Sequence, residues 1–116
     1  MSESETDPYS VAGSARFRPG KADVQLGRKH RLVRPRFDLA AKAAVLQVRS
    51  PIVVGLRLHL DAQGNVIRAD IVKSSGSADI DEPIKLAAYE WWLEPTIDKA
   101  TGKPTPDVIG FLVRID

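Results

Sequence analysis

The sequence predicts an α+β fold in which two helices cover one face of a three-stranded antiparallel sheet, in the order α-β-β-α-β. Residues 54–60 and 66–73 alternate apolar and polar side chains on either side of a glycine-containing turn, which is typical of a β-hairpin. Apolar residues recur at helical spacing in 39–46 and 80–91. A third alternating segment, residues 108–115, supplies the last strand.

The organisation of the chain follows from its length and the distribution of charge. With 116 residues and 43% hydrophobic residues, it can bury one core of modest size. Residues 1–36 are rich in Ser, Gly, Pro and charge, acidic at first and basic in 16–36, and we expect a largely disordered lead-in. A short piece such as 24–26 can still add an edge strand. One folded domain is therefore expected at residues 37–116.

The first helix is predicted to begin after Asp38, whose carboxylate can cap it. Leu39, Ala43 and Leu46 fall on one helical face, which we expect to cover the sheet. The helix ends ahead of Pro51, because proline disfavours a helical conformation in the residue before it.

A hairpin is the clearest local feature that follows. Its first strand places Val54, Leu56, Leu58 and Leu60 on one face. The turn lies at 61–65, where Gly64 can adopt a positive φ.

A second helix is predicted after the break at 74–77. Asp79 or Asp81 can cap it, and Pro83 is tolerated if it falls in the first turn. The helix ends by Glu94. Its buried stripe is expected to comprise Ile80, Ile84, Ala87, Ala88 and Trp91.

After a turn at 101–104, the final strand closes the domain. Its helix-facing side chains are expected to be Ile109, Phe111, Val113 and Ile115. Its opposite face is expected to carry Val108, Gly110, Leu112 and Arg114.

Taken in order over about residues 36–116, these motifs resemble the TonB C-terminal domain family, the partner-binding end of bacterial energy transducers. The residues that carry the resemblance are Asp61, Gly64, Ile71-Val72-Lys73-Ser74-Ser75-Gly76, Ile80-Asp81, Ala87-Ala88, Trp91, Leu93, Pro95, Gly102-Lys103-Pro104 and Phe111. The resemblance implies a periplasmic domain, part of an inner-membrane-anchored protein, that binds the TonB box of an outer-membrane transporter and supports energised uptake, for example of siderophores.

The same resemblance implies an ExbB/ExbD-type motor as a further partner, reached through a membrane anchor. No stretch approaches the roughly 20 apolar residues of a membrane-spanning helix. We therefore expect this chain to be a fragment of a longer anchored protein or a short family member, acting as a monomer or homodimer.

The predicted binding site is an edge of the sheet, because an open sheet exposes unpaired backbone groups that can pair with a partner strand. The last strand is expected at an edge. The partner-binding residues would be Val108, Ile109, Gly110, Phe111, Leu112, Val113, Arg114 and Ile115. Val108 and Leu112 either select among partner side chains, are ordinary surface residues or pack under the basic arm. Trp92 is either a partner contact or part of the packing.

Catalysis, cofactors and metals are not expected. Ser74 and Ser75 would need a nearby base, and only His30 and His59 are present. No His, Asp or Glu group has ligand spacing, and the chain has no cysteine. An alternative function is a standalone adaptor or polyanion-binding domain acting through the basic arm 16–36, although nucleic acid is the less favoured partner because no stacking platform accompanies the arm.

Overall fold

The structure, a computed structural model, describes residues 11–48 and 51–116. Within them the helices are α1 (Leu39–Gln47) and α2 (Ala78–Ala88). The strands are β1 (Gly13–Arg18), β2 (Lys21–Gln25), β3 (His30–Arg31), β4 (Ile52–Leu60), β5 (Val66–Lys73), β6 (Trp92–Leu93), β7 (Thr96–Ile97), β8 (Pro104–Thr105) and β9 (Asp107–Ile115).

The main sheet has five strands in the order β2-β1-β9-β4-β5. Strand β1 runs parallel to β9, whereas the other neighbouring pairs are antiparallel. The α+β class is confirmed, and α1, β4, β5, α2 and β9 occur in the predicted order. The prediction of three strands is wrong, because a hairpin from the lead-in extends the sheet on the far side of β9.

The β4–β5 hairpin forms where the alternating pattern predicts it. Its turn is held by Asp61, whose carboxylate oxygen Oδ1 accepts the backbone N–H groups of Gln63 and Asn65, each at 2.9 Å. Gly64 adopts a φ of 92°, which favours glycine. The register of the two strands shifts at Gly55/Leu56 and at His59/Leu60, so β5 is an irregular edge strand.

One face of the sheet forms the core with α2. Trp91 lies at its centre and packs edge-on against Phe111. The largest fully buried side chains are Trp91, Phe111, Leu56, Leu58, Leu60, Ile80, Ile84, Leu93, Val54 and Val113. Ile109, Phe111, Val113 and Ile115, which were predicted to face the helices from the last strand, are all buried, and this prediction is confirmed.

Helix α2 differs from the prediction at both ends. It ends at Ala88 rather than near Glu94, because the N–H groups of Glu90 and Trp91 bond to carbonyls three residues back and the chain then enters β6. Ser77 is the N-cap residue and makes no side-chain capping bond. Pro83 lies in the second turn, since the helix begins at Ala78.

Helix α1 begins after Asp38 as predicted, and the Asp38 carboxylate accepts the N–H of Ala41 at 2.8 Å. The predicted buried face is wrong: Leu39, Ala43 and Leu46 are exposed, and Ala41 faces the core instead. Both faces of this helix are apolar, so the periodicity of the sequence does not choose between them.

The lead-in is folded from Gly13 onward, so the expectation of disorder is wrong there; residues 1–10 lie outside the described residues. Gly13, Ala15 and Phe17 point into the core and alternate with polar side chains, which is the two-residue period of a half-buried strand. Pro19 and Gly20, the latter with a φ of 70°, form the turn into β2. Strand β2 is an edge strand that includes part of the short piece predicted at 24–26.

Residues 28–33, which we call the strap, connect this hairpin to the rest of the domain. Strand β3 pairs with β6, and the Glu94 N–H donates to the Lys29 carbonyl at 2.8 Å.

Among the residues that the structure describes, neither helix has the length and apolar character needed to cross a bilayer.

Candidate partner-binding edge of the sheet

Strand β9, the predicted edge, is the central strand of the sheet. Its whole length pairs with β4, from Asp107 opposite Leu60 to Ile115 opposite Ile52. Its other side pairs with β1 over Phe111–Ile115. The prediction of an edge position is therefore wrong. Strand β1, distant in sequence, already occupies the place where a partner strand was expected.

The side chains of β9 nevertheless alternate as predicted. Val108, Leu112 and Arg114 lie on the face away from the helices, with Val108 54% exposed and the other two half-buried. In register, Arg114 lies between Arg16 of β1 and Val53 of β4. These side chains remain available on the open face even though the β9 backbone is paired.

Trp92, the other predicted contact, is half-buried and lies in β6 rather than on a helix. Its Nε1–H donates to the Gln63 carbonyl at 2.8 Å. The residue also forms an isolated bridge with Asn65. Trp92 therefore fastens the β4–β5 turn to β6, and only part of its ring is accessible.

The two edges of the main sheet are β5 and β2. Strand β5 carries both register shifts, and its first N–H, on Val66, already donates to the Trp91 carbonyl at 3.3 Å. Bulged edges resist strand addition. Strand β2, by contrast, pairs with β1 in one unbroken register from Lys21 to Gln25. It is the more regular of the two edges.

The direction of the β2 backbone groups follows from a hydrogen bond at the other side of β1. The Asp116 N–H donates to the Phe17 carbonyl at 3.0 Å, so the Phe17 backbone faces β9. Backbone groups of successive strand residues point to opposite sides. The backbone N–H and C=O groups of Arg16 and Arg18 therefore face β2, where they meet those of Asp23 and Lys21. The N–H and C=O groups of the alternate residues of β2, Ala22 and Val24, face outward.

The basic residues of the lead-in hold this hairpin in place. Arg18 and Lys21 pair with Asp23, and Arg16 pairs with Asp116. Arg34 donates from Nη2 to the Arg18 carbonyl at 2.7 Å and from Nη1 to the Lys21 carbonyl at 3.1 Å. Many of these bases therefore have partners within the fold.

The serine loop before α2 is organised around a buried carboxylate. Asp81 accepts hydrogen bonds from the hydroxyls of Ser74 and Ser75, and from the Ser75 N–H at 2.9 Å. Asp81 thus fixes the loop instead of capping the helix.

His59 lies 3.1 Å from Asp70, so its ring is engaged on the open sheet face. No cluster of three potential metal ligands occurs among the described residues.

None of the family models, curated proteins or solved structures compared with this chain matches it. The arrangement of the sheet edges and their surroundings is therefore what supports a function.

Proposed function

We propose that this chain is a protein-binding domain that takes up an extended segment of a partner as an additional strand beside β2. One observation carries the proposal: the backbone groups of Ala22 and Val24 face outward from a regular, unbulged edge strand. An extended peptide binds such an edge through main-chain hydrogen bonds, and its alternate side chains provide specificity.

The surroundings of β2 support selective rather than indiscriminate pairing. Ala22 is small and exposed on the helix-facing side, which leaves room for a partner side chain. Lys21 and Asp23 carry opposite charges on the other face. Charged side chains on a short edge strand disfavour indiscriminate strand pairing.

We further propose that the partner is the TonB box of an outer-membrane transporter, and that the domain belongs to an inner-membrane-anchored energy transducer in the periplasm. The order α1, β4, β5, α2, β9 supports this assignment, as does the position of Trp91 in the core. Because β1 occupies one side of β9, the transporter segment would dock one hairpin further out. An ExbB/ExbD-type motor would act through the membrane anchor of such a transducer.

Amide chemical-shift mapping with a panel of transporter N-terminal peptides tests the proposal. We expect the largest shifts in Lys21–Gln25 and new protection of the Ala22 and Val24 amides. Shifts confined to β5, or to the side chains of the open sheet face, would contradict docking at β2.

Substitution of Ala22 gives a matched pair of variants. Ala22→Pro removes an outward N–H without removing a β1–β2 hydrogen bond, and an edge strand tolerates proline at such a position. We expect it to weaken peptide binding by about tenfold, whereas Ala22→Thr, which keeps the N–H, binds normally. Equal affinity of the two variants would contradict strand addition here.

A second candidate function, polyanion binding, is favoured by the charge of the open sheet face. The strand registers place seven bases on this face against the acids Asp23 and Asp70, and Asp116, which pairs with Arg16, is a third acid. The bases are Arg16, Arg18, Lys21, Arg57, Arg68, Lys73 and Arg114. Micromolar affinity for duplex DNA that falls steeply with salt, and falls further in Arg57→Gln, would favour this function over strand addition.

A further inference from the structure

The outer face of α1 is apolar and uncovered. Leu39 and Leu46 are 85% and 87% exposed, and Ala40 and Ala43 are exposed beside them. Lys42 is the one charged residue of the helix. A helix that is apolar on all sides is normally covered on all sides. The Leu46 end of this face adjoins a groove and is therefore the part suited to an apolar ligand.

A groove adjoins this helix where α1 passes the end of β1. It encloses about 380 Å³, within the range of small-molecule sites. Its apolar surface is formed chiefly by Phe17, Pro35, Phe37, Val45, Leu46 and Ile115. The groove is thus continuous with the exposed side of α1 through Leu46.

The charges around the groove are predominantly positive. Arg34 and Lys42 line it, and neither makes an ion pair with an acid among the described residues. The Arg34 guanidinium lies 5.4 Å from the centroid of the Phe17 ring. Asp116, the acid that lines the groove, is paired with Arg16. An anionic headgroup beside Arg34 and Lys42 would therefore be favoured.

The chemistry of the lining distinguishes between possible occupants. Uncharged polar side chains are absent from the described lining, and Pro19 and Pro35 contribute no N–H groups. A peptide in this groove would bury backbone groups without partners, which costs free energy, whereas an acyl chain has none to satisfy. Two copies joined symmetrically through this groove would bring Lys42 and Arg34 near the same bases of the other copy.

We propose that the groove binds a single-chain anionic amphiphile, a long-chain carboxylate, as a ligand independent of the strand-docking edge. The chain would lie on Phe17, Phe37 and Val45, and the carboxylate would lie beside Arg34 and Lys42.

Calorimetric titration of the full chain with dodecanoate, below its micellar concentration, tests this site. We expect saturable binding at one site, about tenfold weaker with decanoate because two methylene groups are lost. Dodecyltrimethylammonium, which has the same chain and the opposite charge, should bind at least tenfold more weakly. Equal binding of the two dodecyl compounds would overturn the proposal.

Two matched pairs of variants localise the ligand. Leu46→Ser should weaken dodecanoate binding several-fold, whereas Leu39→Ser, equally exposed on the same helix but outside the groove, should leave it unchanged. Lys42→Gln should weaken binding by about two- to fivefold, and Lys103→Gln, in a remote turn, should not. All four positions are exposed, so the fold should persist. Equal effects within either pair would overturn the assignment.

Three further results would show another occupant and so overturn the proposal. These are binding only to anionic vesicles and not to free dodecanoate, displacement of dodecanoate by an acidic peptide that binds more tightly, and a sedimentation-defined dimer that dodecanoate dissociates.

Discussion

The Trp91 indole packs edge-on against the Phe111 ring, with the ring centroids 5.2 Å apart and the planes at 64°. The same indole donates its Nε1–H to the Val33 carbonyl at 2.8 Å. One buried side chain therefore connects the core of the sheet to the strap.

Trp91→Phe tests this connection. The variant retains an aromatic ring beside Phe111 but leaves the Val33 carbonyl without its donor. We expect a loss of about 1–3 kcal/mol in the free energy of unfolding, measured by urea denaturation. Trp91→Ala should cost about 3–5 kcal/mol, because it also leaves a cavity. Equal stability of Trp91→Phe and the native chain would show that the hydrogen bond contributes nothing.

Substitution of two glycines with positive φ distinguishes the cost of backbone strain from the cost of steric overlap. Gly76 has a φ of 101° and open space around it, so Gly76→Ala should cost about 1–2 kcal/mol. An added Cβ at Gly64 would in addition overlap the Leu93 carbonyl oxygen. Gly64→Ala should therefore cost about 2–5 kcal/mol by thermal or urea unfolding. A smaller cost at Gly64 than at Gly76 would contradict the close approach.

The pKa of Asp70 lies below its ordinary value of 3.8, chiefly because Arg68 Nε donates to its carboxylate, with a smaller contribution from His59. A lowered folded-state pKa contributes stability above the ordinary value, which is lost as the pH falls through the lowered pKa. Arg68→Gln should raise the pKa of Asp70 and reduce stability at neutral pH slightly, since this ion pair is largely exposed.

The measurement for Arg68→Gln is a carboxyl titration by nuclear magnetic resonance, combined with urea unfolding at several pH values. The stability difference from the native chain should vanish in acid below the lowered pKa. Asp61 serves as the internal control, because its lowered pKa is due first to the Asn65 backbone N–H. A parallel change at Asp61 would indicate a general effect of the substitution.

The β1–β2 hairpin is expected to open separately from the rest of the sheet. It attaches to β9 along one side, and Ala15 and Phe17 are its buried core side chains. Phe17→Ala should abolish amide-exchange protection in Gly13–Gln25 while protection in β4 and β5 persists. Equal loss of protection throughout would show a single cooperative unit. Ser14→Ala, on the same strand but on the face away from the core, is the matched control.

Local patterns determined the parts of the fold that the sequence predicted correctly. The β4–β5 hairpin and the Asp38 cap depend on neighbouring residues alone, so alternation and turn composition sufficed. The face assignment of β9 succeeded for the same reason.

The parts that were missed depend on contacts between distant segments. The inward residues of β1 include Gly13, which has no side chain, and Ala15, whose side chain is a single methyl group, so the alternation is hard to detect. Nothing in the local sequence of β1 indicates that it pairs with β9, so the predicted position of the docking edge was wrong. In α1, the apolar residues on both faces concealed which side meets the core, and with it the groove beside Leu46.

The parallel attachment of β1 to β9 has a consequence for synthesis in the cell. Strand β1 is translated before β4 and β5, but β9, its neighbour on the side away from β2, is translated after the other strands that the structure describes. Until β9 is available, the apolar side of the β1–β2 hairpin is exposed to solvent. We therefore expect chaperone binding to the nascent chain to be strongest before β9 leaves the exit tunnel.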